Sequence, residues 1–224
     1  MVDIAGHYQI PCVDLESDST QLPDLDYIRQ SIERDKDIAV VIAVHHETGT
    51  GVLNPIREIG QIAHDNQCVF VVDTISTYGL RPLDIEKENI DFLMSSAQKG
   101  LAGMTGASWA VGNIAEIEKS KNYPIRSYYC NLYMQYDFFK KNGEMHFTPP
   151  VQTIYALQQA IKEYFEEGEE NRWQRLTKCW EAIHQGLDEM GLDSVIDKEI
   201  QGKLVVTVKA PSDDKFDFAK LHDY

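Results

Sequence analysis

Val71-Val72-Asp73-Thr74-Ile75-Ser76-Thr77 and, further on, Phe92-Leu93-Met94-Ser95-Ser96-Ala97-Gln98-Lys99-Gly100 decide the fold. Each stretch is an apolar run that ends in polar residues. Cys68 to Val72 is short, apolar and partly β-branched, and Ile90 to Met94 is similar. Runs of this kind suit strands buried on both faces of a parallel sheet. An acid, Asp73, and an amine, Lys99, then lie just beyond two carboxyl ends. Ligands of open α/β sheets bind at that edge. Neighbouring strands lie ~4.8 Å apart, so the two groups can face one flat ligand from two sides.

A carboxylate and a lysine amine facing one ring is the pair that pyridoxal phosphate needs. The amine condenses with its aldehyde carbon, and the carboxylate pairs with its ring nitrogen. Taken alone, the pair does not decide the matter. A strand-end Asp more often caps a loop, and a lone Lys after a strand is usually solvated.

The flanking pattern supports the sheet. Pro23-Asp24 opens a helix with Asp24 as N-cap and Leu25, Ile28 and Ile32 on one face. Ile38 to Val44 is another buried strand, ending in the polar loop His45-His46-Glu47-Thr48-Gly49-Thr50-Gly51. Asn54-Pro55 starts a helix with Pro at its first position and Ile56, Ile59 and Ile62 as its buried stripe. Ala107 to Val111 adds a further short strand. Ile4 to Val13 reads as a helix end followed by a short strand. The alternation of strand and helix is a doubly wound α/β pattern.

The second half is less periodic at first. Between 120 and 150 the chain carries Tyr123, Tyr128, Tyr129, Tyr133, Tyr136, Phe138, Phe139 and Phe147, too many rings for a solvated loop. They pack into the core or against another subunit. A helix then carries Val151, Ile154, Leu157, Ile161 and Phe165 up to Gly168. A second, with Trp173, Leu176, Trp180, Ile183, Leu187 and Met190, presents one apolar seam. Lys203 to Lys209 alternates as a half-buried strand. Asp214 to Tyr224 begins a helix with Phe218 and Leu221 inward.

Composition narrows the function classes. Net charge is −15, from 36 acidic against 21 basic residues, which disfavours nucleic acid and anionic membrane as partners. Cys12, Cys68, Cys130 and Cys179 are far apart and form no C-x-x-C pair, so neither a zinc site nor a disulfide framework is expected. The reading is a cytoplasmic protein with no signal-peptide core and no spanning helix.

Three motifs in register carry a family resemblance. His45-His46-Glu47-Thr48-Gly49-Thr50-Gly51-Val52-Leu53-Asn54-Pro55, Val71-Val72-Asp73 and Ser95-Ser96-Ala97-Gln98-Lys99 resemble the class V branch of fold-type I pyridoxal-phosphate aminotransferases. Glu47 to Asp73 is 26 residues and Asp73 to Lys99 another 26. Leu132-Tyr133, Phe147-Thr148 and Ala156-Leu157 extend the likeness.

The resemblance implies a fold-type I large domain with a mostly parallel, doubly wound sheet over 1–166, an interdomain helix over 167–190, and the start of a small α+β domain over 191–224. Lys99 would carry pyridoxal 5′-phosphate and act as general base. Asp73 would pair with the ring nitrogen, Thr48 would bond near the ring hydroxyl, and Gln98 would sit by the phosphate or ring. Ile75 would pack on one ring face. Thr148 would reach the cofactor phosphate of the partner in a homodimer. His45 and His46 are expected to be structural hydrogen-bonders. No metal is expected.

The implied reaction moves an amino group from 2-aminoethylphosphonate to pyruvate. An exchange using serine or alanine with glyoxylate is the alternative, as is a non-catalytic remnant. A nucleotide-binding α/β protein fits less well, since neither Gly49-Thr50-Gly51 nor Gly100-x-x-Gly103-x-x-Gly106 matches a phosphate-loop spacing. Gly49, where the family has Ser or Thr, and Met104-Thr105-Gly106 depart from the pattern and bear on substrate choice. The family's phosphate-cradling turn and its substrate-binding arginine are expected before and after this chain. The chain therefore reads as the middle of a longer protein, inactive alone and poorly soluble or self-associated.

Overall fold

A computed structural model describes residues 1–213 and 215–223. After a short α1 (Val2–His7) come α2 (Leu25–Arg34), β1 (Val40–Val44), α3 (Ile56–Asp65), β2 (Val69–Asp73), β3 (Phe92–Ser96) and β4 (Ser108–Gly112). The second half holds α4 (Ile114–Lys119), α5 (Leu132–Asn142), α6 (Val151–Glu167), α7 (Glu169–Met190) and α8 (Phe218–His222).

The strands lie in chain order in one sheet. β1 pairs parallel with β2, with Val44 opposite Asp73. β2 pairs parallel with β3, with Asp73 opposite Met94. β4 returns antiparallel along β3, with Ser96 opposite Ser108. Three carboxyl ends, at Val44, Asp73 and Ser96, therefore share one edge. The parallel-dominated α/β architecture is the one expected.

Local chemistry explains the helices that cover the sheet. The Asp24 carboxylate accepts hydrogen bonds from the Asp26 and Tyr27 amides and caps α2. Ile28 and Ile32 then turn inward, one turn apart. α3 buries Ile56, Ile59 and Ile62; Pro55 is its cap rather than its first residue. These isoleucines meet Phe70, Val72 and Leu93 in one core, and burying each such side chain is worth about 1.5–3 kcal/mol.

Burial along the strands corrects one expectation. β2 alternates, with Phe70 and Val72 fully buried and Val69, Val71 and Asp73 only partly so. The even-numbered residues of β2 face α2 and α3. On the opposite face Val40 and Ile42 of β1 remain 47% and 49% exposed. The face toward α2 and α3 is thus the better covered, and Asp73 lies on the other, which is most open at β1.

Other local expectations also change. Ile10 to Val13 forms no strand. Lys203 to Lys209 makes only a bridge, Ser194 to Val208. Val151, Ile154, Ile161 and Phe165 of α6 are exposed, while Thr153 and Ala160 are buried. In α7 the buried positions are Arg172, His184 and Leu187, whereas Ile183 and Met190 face outward. Phe218 and Leu221 are exposed as well; the ends of the expected helix, Asp214 and Tyr224, lie outside the described residues. Of the aromatic segment, Tyr123, Tyr128, Tyr129 and Phe139 are exposed, so these rings do not join the core of this chain.

Residues after α7 return to the strand edge. The Leu53 amide donates to the Ile200 carbonyl and the Gly202 amide to the Gly51 carbonyl, both at 2.9 Å. The Gln201 side chain anchors this return. Its Oε1 accepts from Trp180 Nε1 at 2.7 Å, and its Nε2 donates to the Ile196 carbonyl at 3.0 Å. Among the described residues, no helix is long and apolar enough to cross a membrane.

Candidate active site

Asp73 ends β2, flanked by Val44 and Met94 on the neighbouring parallel strands. Its Oδ1 accepts a hydrogen bond from the Ile75 amide at 2.9 Å. That bond turns the chain and holds the half-buried carboxylate at the strand edge. The Asp73 carbonyl accepts from the His45 amide at 2.9 Å, which continues the ladder onto the loop after β1.

That loop brings Thr48 to the same edge. Thr48 Oγ1 lies 2.6 Å from Ser76 Oγ, so the loop after β1 is tied to the turn after β2. Ser76 belongs to none of the three motifs; its place three residues beyond the strand-end acid is the sign the sequence offers. Ser96 is two residues beyond the partner of Asp73 and so on the same face. Its hydroxyl is buried without a hydrogen-bond partner. A buried polar atom left unpaired calls for an explanation, and a ligand at this edge supplies one.

Lys99 sits in the tight connection between β3 and β4. The Ala102 amide donates to the Lys99 carbonyl at 2.8 Å, and the Gly103 amide donates to the Ala97 carbonyl at 2.8 Å. Gln98 and Lys99 are exposed beyond the buried Ser95, Ser96 and Ala97. The fold thus gathers Thr48, Asp73, Ile75, Gln98 and Lys99 at three adjacent strand ends. Thr148 stands exposed just before α6, outside this cluster.

The turns after β2 and β3 touch through glycine. A Cβ on Gly100 would lie 2.0 Å from the Tyr78 carbonyl oxygen, and one on Gly79 would lie 2.7 Å from Leu101 Cδ2. Gly79 also has φ +75°, a left-handed conformation that costs glycine little. Side chains at either place would push the Lys99 turn away from the Asp73 turn.

His45 is buried under this edge, with Nδ1 2.9 Å from Thr77 Oγ1. Burial, aided by the charges of Arg81 and His46, pushes its pKa down to about 4. His46 is 1% exposed, its ring nitrogens have no hydrogen-bond partner, and burial with the Arg81 charge lowers its pKa as well. Burial thus disfavours the charged form of both rings, and His46, whose ring nitrogens find no partner, is not the hydrogen-bonder expected.

This has a consequence for stability. The unfolded chain takes up a proton at His45 near pH 6.5, while the folded chain resists until about pH 4. Stability contributed by the neutral ring is therefore complete above pH 6.5 and is lost as pH falls from 6.5 to 4, by about 3 kcal/mol. His45→Asn keeps a group for Thr77 and removes the titration. Urea midpoints at pH 7 and pH 4.5 should fall less steeply in the variant. Equal slopes would show that His45 is not held neutral.

Comparison with known proteins identifies the family. The family profile described as aminotransferase class-V matches residues 3–223. A bifunctional phosphonoacetaldehyde hydrolase/aminoethylphosphonate transaminase of Clostridioides difficile (strain 630) is 33% identical over 226 residues, covering 100% of this chain and 35% of that protein. A 2-aminoethylphosphonate–pyruvate transaminase of Lysinibacillus sphaericus (strain C3-41) is 35% identical over 185 residues, covering 82% of this chain and 50% of that protein. Among solved structures, an alanine–glyoxylate aminotransferase from Nostoc sp. superposes with a TM-score of 0.87 at 28% identity, over 98% of this chain and 58% of that one. The chain spans half or less of the length of these two curated relatives.

Proposed function

The chain belongs to the class-V aminotransferase family, and from that premise we propose that it forms the central part of a transaminase that moves an amino group from 2-aminoethylphosphonate to pyruvate. Membership implies pyridoxal phosphate as cofactor. When bound, that group supplies an aldehyde carbon and an electron-accepting ring. The donor set at the strand edge fits it: a carboxylate, an amine, the hydroxyls of Thr48 and Ser76, and the unpartnered Ser96 hydroxyl.

In this reading Lys99 Nζ would hold the aldehyde end. Once the substrate's amino group has displaced it there, the freed amine would take the proton from the substrate carbon beside the amino nitrogen and later return it. Asp73 would pair with the ring nitrogen, and its bond from the Ile75 amide would fix the carboxylate for that task. Thr48 would bond the ring side, Ile75 would pack on one ring face, and Gln98 would sit by the phosphate or ring. Thr148 would serve the cofactor of a second copy in a homodimer. We also read 1–166 as large domain, 167–190 as connecting helix and 191–224 as the start of a small domain; the break at Gly168 between α6 and α7 supports the first boundary.

The observation that carries the reading is the placement of Asp73 and Lys99 at and beyond the carboxyl ends of adjacent parallel strands. The phosphonate donor rests on the names of the curated relatives. A second reading, exchange between an amino acid and glyoxylate, is favoured by the Nostoc neighbour. Full-length protein should form alanine from pyruvate fastest with 2-aminoethylphosphonate. Faster turnover of serine or alanine with glyoxylate would give the second reading its place.

A further inference from the structure

We propose that Arg172 is a positioning residue that locks the turn carrying Lys99 against the turn that follows Asp73. This rests on the assignment of Lys99 and Asp73 made above.

Arg172 lies on the first turn of α7 and is only 9% exposed. Its Nη1 donates to the Gly100 carbonyl at 3.1 Å and to the Gly79 carbonyl at 3.3 Å. Gly100 directly follows Lys99, and Gly79 closes the turn after β2. One guanidinium nitrogen thus bridges the two strand-end turns at the point where their glycines already touch. Its Nε donates to Glu167 Oε2 at 2.6 Å, and the guanidinium lies 5.0 Å over the Tyr164 ring. Glu167 also accepts from Arg175 Nε at 2.7 Å, and the two arginines hold its carboxyl down at about 2. Glu167 stays charged and fixes the fork from behind.

A purely structural ion pair would end on neighbouring helices. Here the buried end of the arginine leaves the helices and satisfies two carbonyls at the strand edge. Loss of those donors frees the Lys99 turn to shift relative to Asp73, and a misplacement of ~1 Å can cost roughly a hundredfold in rate.

The test uses full-length protein loaded with pyridoxal phosphate, as wild type, Arg172→Gln, Arg172→Lys and Arg175→Gln. Arg175→Gln removes a bond to the same Glu167 but touches neither turn. Borohydride reduction with peptide mapping reports which lysine holds the cofactor. The circular dichroism of the bound cofactor's visible band reports whether its orientation is fixed, and kcat and KM are measured separately. Arg172→Gln should keep the label on Lys99, lose most of the visible-band signal, and lose about 10- to 100-fold in kcat with little change in KM. Arg172→Lys, which keeps donors for the carbonyls, should recover part of both. Arg175→Gln should match wild type.

If Arg172→Gln does not fold, Arg172→Lys carries the test, and its visible-band signal and kcat must still fall below those of Arg175→Gln. Label on Lys99 with an unchanged band and unchanged kcat in both Arg172 variants would overturn the inference. Label on another lysine in the wild type would overturn the assignment beneath it, and the inference with it.

Discussion

In full-length protein, Lys99→Ala should abolish transamination while leaving the fold intact. Lys99 is exposed, so its loss should change stability by no more than about 0.5 kcal/mol. Turnover should nevertheless fall by at least ~10³, since the nucleophile and the general base are lost together. The variant should also lose the yellow colour that bound pyridoxal phosphate gives the wild type. Measured turnover within tenfold of wild type would remove Lys99 from the chemistry and leave only its place in a hydrogen-bonded turn.

Asp73→Asn separates charge from shape. The Asn side-chain oxygen can still accept from the Ile75 amide, so the turn after β2 should survive. What disappears is the negative charge proposed to keep the ring nitrogen protonated. One charge-assisted hydrogen bond is worth about 1.5–3 kcal/mol, which bounds the expected loss of cofactor affinity. Turnover should fall much further, by roughly 10³, because every proton transfer at the substrate carbon depends on the ring accepting electrons. A fall in affinity with turnover preserved would mean that another group protonates the ring.

The strand edge was legible in the sequence because its parts are local. An apolar run of five residues followed by polar ones places Asp73 at a carboxyl end with no knowledge of the rest. The Pro23-Asp24 start of α2 and the isoleucine stripe of α3 follow from capping and helical spacing in the same way. The limits are equally physical. Periodicity told that α6 and α7 are helices but not which side they bury, because burial depends on what else is present to cover them. Ile154, Ile161 and Phe165 look like core and stand exposed. The strand interiors read as buried on both faces, yet Val40 and Ile42, on the face away from α2 and α3, stand exposed.

The candidate site divides along the same line. Asp73, Thr48 and Lys99 sit in motifs whose spacing carries information. Ser76 and Arg172 do not. Arg172 lies in the run Glu166-Glu167-Gly168-Glu169-Glu170-Asn171-Arg172, where a charged residue ordinarily faces water. Only the fold shows that its guanidinium passes inward to two carbonyls 72 and 93 residues away in sequence. The Thr48–Ser76 contact spans 28 residues and is equally invisible to local pattern. Contacts of that range depend on how the turns meet, and here they meet through two glycines whose missing side chains leave no pattern of their own.

We propose that one strand edge, bounded by Asp73 and Lys99, holds the cofactor. Full-length protein incubated with pyridoxal phosphate, reduced with borohydride, digested and examined by mass spectrometry tests it most directly. A single modified peptide, carrying the reduced cofactor on Lys99, is the expected result. Modification concentrated on Lys87, Lys119 or Lys121 instead, with Lys99 unmodified, would contradict it.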